Sequence, residues 1–325
     1  MLILSAEDVA MCLPMKAAIE GMHRAYAACT SGDAEMPQRT VIPLGAASDL
    51  AIFMPVHIKG SSEVALKSVT FLPNNERLGL PVIQAMVQVF DASTGSPVAL
   101  IHGGALTAIR TAAGGGASME LLAREESRSL AMLGSGTQAR AGIEAACCAR
   151  DIEVVQLFSP TDGNAQRLAD RLREEDWCPE IRVVASPREA VLDADVIWTA
   201  TTSLSPTFPR EYVKPGTHIV GVGSFQASMV EIDPVLLGSA SVFVDHTDAC
   251  WAEAGEVIVA RSEGLIQSKD VRELGEVVLG HHRGRSNQHE VTVFKSVGIA
   301  CQDAVASSLA VAAAKRLHIG ATMEI

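Results

Sequence analysis

Short apolar runs alternate with longer amphipathic stretches through the second half of the chain. The run SLAMLG at 129–134, for example, is followed by TQARAGIEAACCA at 137–149. Strands separated by helices of this length build a parallel sheet through right-handed crossovers. We predict strands at 129–134, 154–158, 182–186, 195–201, 218–223 and 241–246, with helices at 137–149, 161–175 and 187–194. This alternation is typical of a doubly wound α/β sheet.

The first part of the chain has a different pattern. Residues 5–32 have the spacing of a helix, with Ser5 as its N-cap and Gly32 just past its end. Apolar runs separated by turn-forming residues then predict antiparallel strands at 51–58, 63–72, 82–91 and 97–103. Near the C-terminus, residues 291–320 are rich in Ala, Val and Leu and predict one long helix suited to close packing.

These patterns divide the chain into two domains. We predict an α+β domain over residues 1–117, which the C-terminal helix at 300–325 completes, and a doubly wound parallel-sheet domain over 118–299. In a sheet of the second kind, ligands bind at the carboxyl ends of the strands. The length of 325 residues and the aromatic content of only 4% agree with two domains whose cores are aliphatic.

Charge and cysteine usage exclude several classes of protein. The formal net charge is −12 and the acids are spread along the chain, so nucleic acid is not expected as a partner. Seven scattered cysteines without a CxxC pair indicate reduced thiols and a cytoplasmic location. The acidic N-terminal segment and the lack of a long apolar run predict neither a signal peptide nor a membrane partner. No residue spacing is typical of a metal site.

The segment GSGTQA at 134–139 lies between the first parallel strand and the helix that follows it. In the GxGxxG/A pattern, Gly134 permits the tight turn, Gly136 lets the backbone approach a pyrophosphate, and Ala139 allows close packing of helix on strand. The free N–H groups and the positive dipole end of the helix then face the anion. Strand, turn and helix together predict a dinucleotide site, with Thr137 and Gln138 in the turn.

The residues after the second parallel strand bear on which dinucleotide binds. An NAD site normally has Asp or Glu there to hold the ribose diol. Here the sequence is LFSPT at 157–161, with Ser159 and Thr161 as hydroxyl donors and no acid before Asp162. Without a carboxylate there is no repulsion toward a 2′-phosphate. NADP(H) is therefore favoured over NAD(H), although no arginine lies within this stretch.

A series of motifs along essentially the whole chain resembles the ornithine cyclodeaminase/μ-crystallin family. In order they are RTVIP (39–43), KSVTFLPN (67–74), LTAIRTAAGGGAS (106–118), GSGTQA (134–139), GVGSF…EID (221–233) and FKSVGIACQD (294–303). The resemblance implies a homodimer with a Rossmann domain and an N-terminal substrate domain that carries the dimer interface. It also implies imine chemistry on amino acids with a nicotinamide cofactor.

Three cations match positions that hold the substrate carboxylate in the family. They are Arg39, Lys67 and Arg110. Arg110 lies among apolar and small residues, where an unpaired guanidinium would be costly. Lys67 lies in the apolar strand EVALKSVTFL, so it is either a solvated lysine at a strand edge or a buried one. A buried lysine shifts readily in pKa and can bind carboxylate or transfer a proton, so we assign Lys67 as the catalytic residue.

The resemblance also implies a set of cofactor contacts. They are Gly134, Gly136, Thr137, Gln138, Ser159, Thr161, Thr201, Gly221, Val222, Gly223 and Ser224, with Gln84 in the first domain. Ser296 and Val297 match a family contact near the nicotinamide and the substrate. We include both as substrate-binding residues.

Two positions depart from the pattern expected of true ornithine cyclodeaminases. Those enzymes are expected to have a glutamate before the M-P dipeptide and an aspartate after the VG of the fifth parallel strand. Here these positions are Ile52 and Phe225. An isolated ammonium in an apolar pocket is strongly disfavoured. The pocket therefore suits a carboxylate substrate with an uncharged or apolar remainder better than ornithine.

The preferred function is reduction of a cyclic imino acid, such as Δ1-pyrroline-2-carboxylate or Δ1-piperideine-2-carboxylate, to the L-amino acid with NAD(P)H. One alternative is a lyase of the ornithine cyclodeaminase or hydroxyproline dehydratase type. Others are an amino-acid dehydrogenase resembling alanine dehydrogenase, and a non-catalytic NADPH-binding protein of the crystallin type.

Two acids near the predicted site have several interpretations. Asp245 ends the sixth parallel strand and either caps a loop or faces the cofactor. Glu256 is interpreted as an ordinary helix or loop carboxylate. Neither is assigned to the site.

Overall fold

The computed structural model describes residues 1–45 and 49–324. The strands are β1 (Leu2–Leu4), β2 (Ala34–Glu35), β3 (Thr40–Pro43), β4 (Leu50–Ile58), β5 (Glu63–Phe71), β6 (Ile83–Asp91), β7 (Pro97–His102), β8 (Ser129–Leu133), β9 (Val154–Phe158), β10 (Glu180–Val183), β11 (Val196–Thr199), β12 (His218–Gly221), β13 (Ser241–Val244), β14 (Val271–Glu273), β15 (Thr292–Lys295) and β16 (Ala321–Thr322). The helices are α1 (Ala6–Cys12), α2 (Met15–Thr30), α3 (Gly103–Leu122), α4 (Thr137–Ala149), α5 (Asn164–Leu172), α6 (Pro187–Val191), α7 (Pro234–Leu237), α8 (Thr247–Glu253), α9 (Gly255–Ser262), α10 (Leu274–Val278) and α11 (Ala300–Leu317).

The chain divides into two compact units, Met1–Arg110 with Ile299–Ile325, and Thr111–Gly298. Helix α3 is continuous through the division after Arg110, and the boundary that we predicted at 117/118 falls within this helix. None of the described helices has both the length and the apolar character needed to cross a bilayer.

The N-terminal helical region of the first unit is two helices rather than one. Ser5 caps α1 through a reciprocal pair of hydrogen bonds with Asp8, as the sequence predicts for this position. The chain then breaks at Leu13 and Pro14 before α2 begins. The prediction of one helix over 5–32 is wrong there because proline has no N–H for the helix and disfavours helical backbone in the residue before it.

The first sheet has the order β16-β1-β7-β6-β5-β4-β2, and β3 also pairs with β4. The predicted strands β4 to β7 are present and antiparallel. Met54, Lys67, Val87 and Ile101 lie opposite one another in successive strands and are all buried. Helix α11 packs on the face of β4 and β5 that carries this row. Lys67 is therefore on the covered face of the sheet.

The second sheet has the order β10-β9-β8-β11-β12-β15-β13-β14, and every pair in it is parallel. It is the doubly wound sheet that the alternating pattern predicts. The chain reverses its direction of winding between β8 and β11, and ligands bind at such a reversal. The small residues of α3 and α4 pack on Trp198 of β11. A Cβ on Gly115 would lie 2.3 Å from its ring, and one on Gly142 would lie 2.9 Å from it.

The prediction of one helix over 291–320 is wrong in its first part. Thr292–Lys295 is the fully buried strand β15, inserted between β12 and β13, and the helix begins only at Ala300. A four-residue strand that is buried on both faces has no hydrophobic period of its own. The prediction of a helix at 292–295 therefore followed from the helical pattern of the residues after Ala300.

Candidate active site

A buried cluster of charges in the first unit joins β5, α3 and α11. Lys67 Nζ lies 2.6 Å from Asp303 Oδ2, and Arg110 Nε donates to Asp303 Oδ1 at 3.0 Å. Arg110 Nη1 also donates to Gln302 Oε1 at 2.9 Å. The Gln302 amide in turn donates to the Tyr26 hydroxyl at 2.8 Å. Lys67 is 3% exposed and Asp303 is 1% exposed, so Lys67 is a buried lysine and not a solvated edge residue.

This cluster carries more positive than negative charge. Burial, and after it the charge of Arg110, lower the pKa of Lys67 to about 7, although Asp303 opposes both effects. The half-buried Arg39, just before β3, is close enough to lower the same pKa. Lys67 thus has two cations, Arg39 and Arg110, and one carboxylate, Asp303, in its surroundings. Buried net charge is costly unless it is paired, so the cluster is suited to binding an anion such as a second carboxylate.

The surroundings of Lys67 on the sheet are apolar. Its strand neighbours are Met54 on β4 and Val87 on β6. Ile52, two residues before Met54 on the same face, is 6% exposed. The part of a ligand that lies over this face therefore meets hydrocarbon. No carboxylate is at position 52 to hold an ammonium group.

The glycine turn of the second unit has the geometry of a phosphate-binding turn. Gly134 has a φ of 123°, and a Cβ there would lie 2.4 Å from Ala200 O, so only glycine fits. Gly136 caps α4, and a Cβ on it would meet no atom within 4 Å. Gln138 Oε1 is buried without a hydrogen-bond partner among the described residues. Open space before a helix N-terminus fits a dinucleotide phosphate group. The Gln138 oxygen is an acceptor, so its partner would be a hydrogen-bond donor and not a phosphate oxygen.

Replacing Gly136 with alanine tests this turn. Gly136 has a φ of −84° and free space at its Cβ, so the variant is expected to fold with a melting temperature near that of the parent. The added methyl would occupy the approach to the pyrophosphate, and we expect NAD(P)H to bind about tenfold or more weakly, a loss of about 1.4 kcal/mol. Fluorescence titration with NADH and NADPH measures this. Unchanged affinity would contradict a phosphate site at the turn.

The remaining predicted cofactor residues of the second unit lie in loops after parallel strands. The hydroxyl of Ser135 in the glycine turn donates to the hydroxyl of Ser159, which follows β9, at 2.9 Å. Thr161 is exposed in the same turn as Ser159. Gly221 ends β12, and Val222 N donates to Thr199 O of β11 at 3.1 Å. The loops after β8, β9, β11 and β12 are therefore at one edge of the sheet. Gln84 belongs to the first unit, where it is exposed on β6.

The loop after β15 is held by an acid that the sequence left unassigned. Asp245 Oδ2 accepts hydrogen bonds from Ser296 Oγ at 2.6 Å, Val297 N at 3.0 Å and Gly298 N at 2.8 Å. Through these three hydrogen bonds the fully buried Asp245 caps the loop and fixes Ser296 and Val297 at the carboxyl edge of the sheet. In the sequence, the feature that could have identified Asp245 is its position as an acid directly after an apolar strand.

Among residues 1–45 and 49–324, no three His, Cys, Asp or Glu side chains are grouped as metal ligands.

Solved structures with this fold define the class of protein. The chain superposes on Δ1-pyrroline-2-carboxylate reductase of Thermococcus litoralis, solved in complex with NADH and L-proline, with a TM-score of 0.95, 34% identity, and coverage of 99% of this chain and 100% of that one. An archaeal alanine dehydrogenase dimer with bound NAD matches with a TM-score of 0.92, 30% identity, and coverage of 99% and 98%. The class is a nicotinamide-dinucleotide-dependent oxidoreductase.

The amino-acid sequence places the chain within this class. It is 34% identical over 326 aligned positions to a Δ1-pyrroline-2-carboxylate reductase of Bacillus cereus, with 100% of both chains covered. The model of the ornithine cyclodeaminase/mu-crystallin family matches residues 1–315. The chain belongs to the ornithine cyclodeaminase/mu-crystallin family, as its motifs predict.

Proposed function

We propose that this protein reduces a cyclic imino acid of the Δ1-pyrroline-2-carboxylate or Δ1-piperideine-2-carboxylate type to the L-amino acid with NAD(P)H. The observation that carries the proposal is the buried cluster of Lys67, Arg110 and Asp303, which has excess positive charge beside an apolar sheet face. Such a site suits a carboxylate attached to a small hydrocarbon ring. The Bacillus and Thermococcus relatives named for this reaction support the same substrate class.

Each cation of the cluster has a role in this reaction. Arg110 binds the substrate carboxylate and fixes its plane, because a guanidinium can present two parallel donors to a carboxylate. Arg39 adds positive charge. Lys67 binds the carboxylate and, because its pKa is near 7, can hold a proton for the imine nitrogen at neutral pH. When bound, the nicotinamide supplies the hydride that the imine carbon accepts.

The apolar surroundings of Lys67 argue against ornithine as the substrate. Cyclodeamination of ornithine needs a carboxylate for the second amine, and position 52 offers the buried side chain of Ile52 instead. An ammonium group there would lose its hydration without a partner. A cyclic imino acid carries no such second amine and fits the same surface.

A substrate panel read at 340 nm tests the proposed function. It contains Δ1-pyrroline-2-carboxylate, Δ1-piperideine-2-carboxylate, and pyruvate with ammonia, together with ornithine and 3-hydroxyproline under product detection. We expect rapid cofactor oxidation with at least one cyclic imino acid, at a kcat/KM well above that for pyruvate with ammonia. Saturable binding of NADPH without imine-dependent oxidation would contradict the proposal, and product from ornithine or hydroxyproline would identify a lyase.

We further propose that NADPH is preferred over NADH. No carboxylate lies in the segment Phe158–Thr161, where the ribose diol of NADH would be held. The sequence lacked an arginine in this stretch, but Arg167 of α5 folds back over the same turn. A Cβ on Gly163 would lie 3.0 Å from Arg167 Nη1, and the same guanidinium donates to Asn164 Oδ1. Arg167 is therefore the candidate partner of a 2′-phosphate.

Replacing Arg167 with alanine is expected to lower kcat/KM for NADPH about tenfold and to leave that for NADH unchanged, because a charge-assisted hydrogen bond contributes about 1.5–3 kcal/mol. The ratio of the two kcat/KM values is the measurement. Arg171→Ala, an exposed arginine one turn later on α5, is the matched control and should leave the ratio unaltered. An unchanged ratio in Arg167→Ala would exclude Arg167 as the discriminating residue.

The first unit also supports the expected homodimer. Helix α11 packs on one face of its sheet, whereas the other face carries the apolar side chains of Phe53, Leu66, Met86 and Leu100, none of which is fully buried. Met86 is 49% exposed. A half-exposed apolar sheet face is typical of an interface. We propose that a second copy of the chain covers it, which light scattering of the purified protein measures directly.

A further inference from the structure

A second buried charged cluster lies in the second unit, at the carboxyl edge of the parallel sheet. At its centre is Glu231, which is fully buried and follows the loop after β12. Glu231 Oε1 accepts hydrogen bonds from Thr201 N at 2.6 Å and Thr201 Oγ1 at 2.9 Å. Its Oε2 accepts from Gly223 N at 2.7 Å and Ser224 N at 2.7 Å. One carboxylate thus joins the loop after β11 to the loop after β12.

The two loops are packed closely around this carboxylate. A Cβ on Gly223 would lie 2.2 Å from Thr201 O and 2.5 Å from Glu231 Oε1, so no larger residue fits there. The hydroxyl of Thr201, which donates to Glu231, also accepts a hydrogen bond from Ser203 N at 3.2 Å. The loop shape is therefore fixed by hydrogen bonds to Glu231 and by close packing.

A lysine and a second glutamate hold the same loop from the other side. Lys295 Nζ donates to Ser224 O at 2.6 Å and to Ser224 Oγ at 2.6 Å. Ser224 Oγ is 2.9 Å from both carboxylate oxygens of Glu256, to which it donates its proton. Lys295 and Glu256 are 0% exposed and lie 3.4 Å apart. Glu256 is thus part of this network and not an ordinary loop carboxylate.

We infer that Glu231 is the positioning residue for the nicotinamide half of the dinucleotide. All four of its partners are donors, so the carboxylate is required in its acceptor form and a neutral amide cannot replace it. The backbone groups that it orders follow the two central strands of the sheet, where doubly wound folds place the reactive half of a dinucleotide. The inference needs only that a nicotinamide dinucleotide binds here, and not that the substrate is an imino acid.

The variant Glu231→Gln tests this role. Its NH₂ group would replace one of the two carboxylate oxygens and would meet donors that it cannot accept from, so two of the four hydrogen bonds would be lost. We expect the Kd for NADH and NADPH, measured by fluorescence titration without substrate, to rise about tenfold or more. The KM for the dinucleotide should rise with it, while kcat changes by less than about threefold. Asp233→Asn is the matched control, because this nearby carboxylate accepts from Val235 N and Arg210 N and from no donor of the Thr201 or Gly223 loops within residues 1–45 and 49–324. Its Kd should be that of the parent.

A second pair of variants decides the question if Glu231→Gln does not fold. Thr201→Val removes one of the four donors and Thr201→Ser retains it. We expect about a threefold rise in Kd for the valine variant and parental binding for the serine variant. Equal Kd values in this pair, or a parental Kd in folded Glu231→Gln, would overturn the inference. Because these titrations contain no imino acid, failure of the proposed reduction would leave their outcome unchanged.

Discussion

Replacing Arg110 with alanine is expected to lower kcat/KM for the imino acid on the order of 10³-fold, because truncation of one partner of a buried charge pair costs about 2–5 kcal/mol. The alanine variant loses the hydrogen bonds from Arg110 to Asp303 and Gln302. It also loses the donors that the guanidinium offers to the substrate carboxylate. The cluster would also lose one positive charge, so that the positive charge left on Lys67 and Arg39 exceeds the negative charge of Asp303 by less. The affinity for the substrate should therefore fall as well as the rate.

Two measurements separate this effect from a general loss of structure. Arg110 belongs to the first unit and the glycine turn to the second, so the Kd for NADPH should be unchanged in Arg110→Ala. Arg24→Ala, an exposed arginine of α2, is the matched control and should retain parental kcat/KM. Turnover like that of the parent in a folded Arg110→Ala variant would refute the assignment of the carboxylate site.

The pH dependence of imine reduction is expected to report Lys67. Its pKa is lowered to about 7 by burial and by Arg110, so the ammonium form predominates below pH 7 and is lost as the pH rises through that value. If the ammonium form binds the carboxylate and supplies the proton, kcat/KM should fall about tenfold per pH unit well above pH 7. Oxidation of the amino acid needs the neutral amine and should show the opposite slope.

The variant Lys67→Arg identifies which group causes the fall of kcat/KM above pH 7. A guanidinium stays charged throughout the accessible pH range, so the decline above pH 7 should disappear even though the rate is lower. If the same decline persists in Lys67→Arg, the titrating group is the imine of the substrate and not Lys67. The pH profile of kcat/KM for both proteins, recorded with one substrate, is the required measurement.

The parts of the fold that the sequence predicts correctly are those with a local signal. The glycine turn at 134–139 and the strands β8 and β9 follow from residues that are neighbours in the chain. The small residues of AAGGGAS have a further reason that the sequence does not show, because the ring of Trp198 lies against Gly115. Strand β15 was missed because it is short and buried on both faces, so its pattern is not distinct from that of a helix.

The parts of the candidate site that the sequence does not predict depend on distant partners. Asp303 lies within the motif FKSVGIACQD, yet its contact with Arg110 joins residues 193 positions apart. Glu231 likewise lies in the EID motif, and its bonds to Thr201 cross 30 positions. A carboxylate has the same appearance in a sequence whether it is solvated or buried with four donors. Only the three-dimensional contacts distinguish the two.

The most direct test of the account follows hydride transfer to the product. The purified protein is incubated with Δ1-pyrroline-2-carboxylate and NADPH that carries deuterium at both C4 positions, and the product is analysed by mass spectrometry and NMR. The account predicts L-proline with one deuterium at its Cα and one NADPH oxidised for each molecule formed. Absence of proline from a protein that binds NADPH, or proline without deuterium at Cα, would contradict the claim that this chain is an imino-acid reductase.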